Sequence, residues 1–235
     1  KVMGVENETQ LSAKAQETRQ RIFDVAVRLF MEKGYEATTM RDIAKAADSS
    51  LGLIYRYFES KDMIVMEVYR QLIQQTTVWI EAMPSGNVAE RFDTIMRQVL
   101  AEVAPYRTAW QGIFGGAMNP NSPIGVLGDG TRGLREEMGG VFLRLVMEAS
   151  DAPKKSEQAT ALGALLYVMH LLVLLFWISD RSEGTRVTYQ LLDFTKEGLS
   201  FIRGALVLPP VSKGLTRLAG IMGQVFGGVT PATPL

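Results

Sequence analysis

The chain has 235 residues, almost half of them apolar, and its 25 basic residues are balanced by 25 acidic ones. That is enough apolar mass for one or two domains with a substantial core and too much for a disordered chain. With no cysteine and a single histidine, disulfides, thiol nucleophiles and multi-histidine metal centres are excluded.

Residues 1–17 are polar and read as a mobile N-terminal arm. From Thr18 the pattern turns helical, with Ile22, Val25, Ala26, Leu29 and Phe30 spaced at threes and fours until Lys33 and Gly34 stop the helix. Thr39 caps a second helix, with Asp42 three residues on as its capping-box partner and Met40, Ile43, Ala44 and Ala47 as its apolar stripe. Asp48, Ser49 and Ser50 make a turn, and Leu51, Ile54, Tyr55 and Phe58 repeat on a third helix. Ser60 caps a fourth helix that runs to about residue 80, before Pro84, Ser85 and Gly86 break the chain.

Further helices are expected over 88–103, 106–114, 134–148, 155–179 and 185–206, with a loop rich in Gly, Pro and Asn over 115–133. Pro209 and Pro210 end the last of these, 211–227 forms one more short helix, and the terminal TPATPL frays. No repeat and no strand stands out, so the fold class is all-α. The expected divisions are the arm over 1–17, a helix-turn-helix domain over 18–62, a larger domain over 63–210 and a C-terminal extension over 211–235.

The chemistry concentrates in 38–61, TTMRDIAKAADSSLGLIYRYFESK, where two short amphipathic helices flank a polar turn. That arrangement inserts its second helix into the DNA major groove. The exposed face of that helix offers Gly52, Leu53, Arg56 and Tyr57, with Tyr55 at its edge. Gly52 either admits a close backbone, DNA included, or simply belongs to the helix start, where glycine costs little. Lys61 opens the fourth helix, where a cation opposes the dipole. It either holds a phosphate at that terminus or is a solvated lysine partly offset by Asp62. Residues 1–62 carry ten basic and ten acidic side chains, so DNA binding here depends on a few placed cations.

The run GYEATTMRDIAKAADSSLGLIYRYFESKD resembles the DNA-binding region of the tetracycline-repressor (TetR) family. The matching residues are Gly34, Thr39, Ile43, Ala44, Gly52, Tyr55, Tyr57, Phe58 and Lys61, within about residues 18–65. The resemblance implies an all-helical homodimer, with an N-terminal three-helix DNA-binding domain and a larger ligand-binding and dimerisation domain. By the same resemblance Thr39, Ser50, Tyr55, Tyr57 and Lys61 hold phosphates, while Arg41, Leu51, Gly52, Leu53 and Arg56 lie near base edges. Arg41 and Arg56 are the candidate guanine readers. Where the family often has Val-Ser-Lys/Arg-Gly-Thr, this chain has Ser49, Ser50, Leu51, Gly52 and Leu53. The two leucines substitute apolar contact with thymine methyls for polar base contacts.

In the larger part, the helices over 155–179 and 185–206 are expected to pair with their twofold mates as a four-helix bundle. Val187, Leu191, Phe194, Leu199, Ile202 and Leu206 form a stripe that reads as core or dimer seam. The apolar run 161–178 is slightly short for a membrane span, contains His170 and has no basic cluster beside it, so it reads as a core or dimer helix. Trp110, Phe114, Met118, Phe142, Met147, Met169 and Trp177 are candidate walls of an effector pocket, each with core packing as the alternative. His170 is either a satisfied core histidine or the pocket's polar handle. The scarcity of charge here favours an apolar effector.

Residues 128–133, GDGTRG, match a dinucleotide-binding pattern, but that fingerprint needs a preceding strand and a βαβ unit. The alternative of a nucleotide-dependent enzyme also lacks a nucleophile–base pair, and no cofactor or metal is expected. No secretory signal opens the chain, which suits a cytoplasmic protein. The expected function is a ligand-responsive transcriptional regulator, a repressor released from a palindromic DNA operator by a small lipophilic effector.

Overall fold

The computed structural model describes residues 12–117, 124–125, 128–205 and 208–226. Among them every regular element is helical, and the chain divides into two compact units between Ile64 and Val65.

The first unit opens with α1 (Ala13–Lys33), capped by the Ser12 hydroxyl, which accepts from the Ala15 N–H at 3.4 Å. The helix starts at Ala13 and not at Thr18 as the apolar spacing suggests. Residues Ala13, Lys14, Ala15, Gln16 and Glu17 are strong helix formers behind a serine cap, so propensity extends the helix beyond its buried face. The rest of the expected arm, 1–11, lies outside the described residues. Gly34 follows at φ +85°, a backbone region that glycine enters without a Cβ clash.

Next, α2 (Met40–Ala46) opens on a complete capping box. The Asp42 N–H donates to Thr39 Oγ1 at 3.2 Å, and the Thr39 N–H donates to Asp42 Oδ2 at 2.9 Å. Asp48, at φ +47°, turns the chain into α3 (Leu51–Tyr57), whose cap is Ser50. Arg21 reaches from α1 to the carbonyl of Ala47 at 2.6 Å and so closes the end of α2. Ile22, Ala26, Phe30, Ile43, Ala44, Ile54 and Phe58 are buried together as the core of this unit.

A long helix, α4 (Lys61–Glu81), begins in the first unit and continues into the second. There follow α5 (Val88–Val103), a 3₁₀ turn, α6 (Arg107–Ala117), a second 3₁₀ turn at Asp129–Thr131, and α7 (Arg132–Met147). Then come α8 (Ser156–Ser179), α9 (Arg186–Ala205) and α10 (Pro209–Phe226). Helix α8 is the axis of this unit, with α7 and α10 packed along it and α5 against α9. Gly163 of α8 has no room for a Cβ, which would lie 2.9 Å from the Leu143 Cα of α7.

Helix α8 is long and apolar enough to cross a membrane, yet 56% of its apolar stretch is buried inside the fold. Pro209 and Pro210 start α10 as well as ending what precedes it, because proline fits the first turn of a helix. The extension is therefore part of the core, with Leu215 and Ala219 buried and Gln158 of α8 bonded to Ser212.

Candidate functional site

On the surface of the first unit, α3 buries Ile54 and turns Gly52, Tyr55 and Arg56 outward, with Leu51, Leu53 and Tyr57 half-buried at the sides. Tyr55, which shares the spacing of the apolar stripe, is 47% exposed and belongs to the outer face. A Cβ on Gly52 would meet nothing within 4 Å, so nothing inside the protein demands glycine there. Arg41 is exposed on α2, and neither it nor Arg56 makes an ion pair among the described residues. The Ser50 oxygen accepts from the Leu53 N–H at 3.2 Å, which leaves its own proton for an outside acceptor.

Two expected phosphate ligands are differently occupied. The Thr39 hydroxyl donates to Asp42 Oδ2 at 2.7 Å while accepting from the Asp42 N–H. These bonds, with Lys33 3.5 Å away, hold the Asp42 carboxyl below its usual range, the Thr39 hydroxyl being the main cause. The Lys61 ammonium donates to the carbonyls of Tyr35, Glu36 and Thr38 at 2.8, 3.3 and 3.3 Å. It also lies 4.2 Å from the centre of the Tyr35 ring, and the Tyr35 hydroxyl bonds Asp62. An ammonium has three protons, and all three have partners here. Lys61 is thus neither a solvated lysine nor one with a vacant donor. It braces the turn between α1 and α2, a role that spacing alone gives no sign of.

The second unit holds a cavity of about 600 Å³, its open mouth included. Its wall comes from Tyr69, Leu72 and Ile73 of α4, Trp110 of α6, Thr131 and the start of α7, and Tyr167, His170, Leu171 and Leu174 of α8. Of the expected pocket residues, Trp110 and His170 line it. Phe142 is buried in the core against Phe92, Tyr167 and His170, because its place on α7 faces α5 and α8. Trp177 is buried beneath the Arg107 guanidinium at the end of α8. Met147 is 63% exposed at the last turn of α7, and Met169 is half-buried outside the wall. Met118 and the side chain of Phe114 lie outside the described residues. The missed wall of α8 has a readable signal: Tyr167, His170, Leu171 and Leu174 share one face at intervals of three and four.

Burial governs the chemistry of the cavity. It lowers His170 to about 4, leaving the ring neutral, and pushes Tyr69 well above the usual phenol range. Tyr167 is pushed up to about 12 by burial, against the opposing charge of Arg135. The Arg135 guanidinium donates to the Gly128 carbonyl at 2.6 Å and the Thr131 hydroxyl at 2.7 Å. The GDGTRG run is thereby a packed turn feeding α7. No strand precedes it among the described residues, so the dinucleotide pattern lacks its required context.

A helix-turn-helix with a free arginine on each helix, joined to a helical unit with a cavity, defines a DNA-binding transcriptional regulator. The family model for bacterial regulatory proteins of the tetR family matches residues 22–68. The chain is 26% identical to the HTH-type transcriptional repressor KstR of Rhodococcus jostii, over 78% of this chain and 84% of that protein. It is 46% identical to the HTH-type transcriptional regulator AcrR of Shigella flexneri, over 24% of this chain and 26% of that one. Thermus thermophilus FadR, a TetR-family repressor crystallised with lauroyl-CoA, superposes with a TM-score of 0.56 at 20% identity, over 75% of this chain and 90% of that one. Residues 22–68 are thus similar to the DNA-binding region of the tetR family, and the similarity to KstR extends over most of the chain.

Proposed function

We propose that this protein is a cytoplasmic, homodimeric repressor of the TetR family. It holds a palindromic operator until a small apolar effector enters the cavity lined by α4, α6, α7 and α8. Its activity is binding, not catalysis. The observation that carries the reading is the double use of α4: Lys61 and Asp62 brace the turn before α2, and Tyr69, Leu72 and Ile73 of the same helix line the cavity. A ligand that prefers one packing of α4 therefore acts on a helix rooted in the DNA-reading unit. Release follows if that packing does not match the operator half-sites, about 34–36 Å apart or a multiple of it. The repressor sense is supported by KstR, which the chain matches over most of its length. The bound lauroyl-CoA of FadR is an example, in that protein, of a ligand with an apolar acyl chain.

On DNA, Ser50, Tyr55 and Tyr57 contact phosphates, Arg41 and Arg56 read base edges, and Leu51, Gly52 and Leu53 form the close apolar surface between them. Thr39 and Lys61 act from behind by holding α2 in place. The test is binding of the purified protein to a labelled fragment from upstream of its own gene, with salt and unrelated DNA as competitors. Tight, competitor-resistant binding lost in Tyr55→Ala is expected. In Lys61→Ala, affinity falls while the salt slope is unchanged, whereas loss of a phosphate contact lowers that slope by about 0.9. Arg41→Ala changes which sequences are preferred. Equal losses on all sequences for Arg41→Ala would refute its base-reading role, and no specific binding at any salt, with this fragment or in a random-sequence selection, would refute the operator reading.

A further inference from the structure

The cavity wall is apolar except at a few points, and two of these have hydrogen-bonding capacity that the protein leaves unused. The Tyr69 hydroxyl is buried and has no partner among the described residues, while its ring is fixed by stacking on Trp110 at 5.5 Å. A buried hydroxyl without a partner is uncommon and destabilising in the absence of a ligand. His170 places Nδ1 3.4 Å from the Met96 sulfur. A thioether accepts but cannot donate, so Nδ1 carries the ring proton and Nε2 keeps its lone pair. Nε2 has no partner among the described residues. Burial keeps the ring uncharged at neutral pH and keeps the Tyr69 phenol protonated.

The Thr131 hydroxyl donates to the Gly125 carbonyl at 2.6 Å, and Arg135 holds the turn over 128–131. The cavity therefore offers a donor at Tyr69 and an acceptor at His170, both neutral, in a largely apolar wall that also includes the Tyr167 hydroxyl and the Arg135 guanidinium. A hydroxyl group accepts one hydrogen bond and donates another, and a carboxylate only accepts.

We propose that the effector is an uncharged apolar molecule bearing a hydroxyl, an alcohol or phenol, that accepts from the Tyr69 hydroxyl and donates to His170 Nε2. This rests on the cavity being the effector site, as argued above.

The test uses two matched series on the full chain at pH 7.5: decane, 1-decanol and decanoate, and naphthalene, 2-naphthol and 2-naphthoate. Binding is read by calorimetry and by quenching of tryptophan fluorescence. The expected order in at least one series is hydroxyl compound over hydrocarbon by about tenfold or more, with the carboxylate about a hundredfold or more below the hydroxyl compound. In Tyr69→Phe, which removes one oxygen, the preference of hydroxyl over hydrocarbon falls towards one. His170→Leu lowers the same ratio. Hydrocarbon binding as tight as hydroxyl binding overturns the hydroxyl assignment while leaving the cavity as the ligand site. A carboxylate that binds best overturns it in favour of Arg135. Failure of all six compounds to bind overturns the cavity reading itself, and this proposal with it.

Discussion

His170 is the residue whose environment sets a measurable property of the whole protein. Its ring is buried between Met96 and Phe142, and burial lowers its pKa from the usual 6.5 to about 4. Above pH 6.5 the group is neutral in both folded and unfolded chains. Between 6.5 and about 4 the unfolded chain binds a proton that the folded chain refuses, so stability falls as the pH is lowered through that window. The shift corresponds to about 3 kcal/mol lost by its lower end. Urea unfolding at pH 7 and pH 5 will show a marked fall for the parent and a shallower one for His170→Leu. An equal fall in both would mean that His170 is not the group responsible. A lone histidine on an apolar helix was legible as a choice between core and pocket, and the ring is buried while it lines the cavity. The brace made by Lys61 was not legible, because its partners are backbone carbonyls 23–26 positions away, where no side-chain pattern marks them. The orphaned Tyr69 hydroxyl was hidden for a related reason: a missing partner is a property of the packed state.

Among the helices, two glycines have opposite meanings. At Gly163 of α8 a Cβ would lie 2.9 Å from the Leu143 Cα and 3.1 Å from its nitrogen, and backbone cannot swing aside as a side-chain tip can. Gly163→Ala must therefore push α7 from α8. The cost of such overpacking, about 1–3 kcal/mol, outweighs the roughly 1 kcal/mol that alanine contributes as the better helix former. At Gly52 of α3 the space is open, so Gly52→Ala leaves unfolding unchanged or slightly delayed. Its effect appears on DNA, as weaker operator binding from an added methyl at the closest approach. Thermal unfolding beside operator titration separates the two. A destabilised Gly52→Ala, or one with full operator affinity, removes the case for close approach. Helix existence and type were readable throughout from the three-and-four spacing, and the capping box at Thr39 and Asp42 appears as its sequence announces. Boundaries were less so: α1 begins ahead of its apolar face, and α10 begins on prolines that also read as a stop. Wall assignment followed the same limit, since Met147 and Trp177 satisfy composition but face solvent and core.

At the level of the whole molecule, the second unit leaves apolar rows uncovered on α8 and α9. Leu172, Leu175 and Phe176 are exposed on α8, and Phe194 and Phe201 on α9 are 72% and 80% exposed. The expected seam on α9 is thereby divided: Leu199 faces inward with Leu192, while Val187, Phe194 and Ile202 face out, and Leu206 lies outside the described residues. Phe194 and Phe201, seven residues apart, occupy one side of the helix, and two such rings in water are unfavourable unless a partner covers them. A second copy of the same chain is the partner that the proposed palindromic operator calls for. In a twofold interface each residue appears twice, so one substitution removes two anchors. With about 2 kcal/mol for each buried aromatic anchor, Phe201→Asp removes about 4 kcal/mol of association energy, a loss of roughly a thousandfold in dimer affinity. Folding of the protomer should survive, because Phe201 contributes little to its core. Sedimentation at micromolar concentration will then report a monomer with an unchanged helical spectrum. Operator affinity falls with it, since a lone helix-turn-helix engages one half-site and loses the linkage between two. A dimeric Phe201→Asp would shift the interface away from this face of α9. A monomer that still binds the full operator with parent affinity would remove the need for twofold recognition altogether.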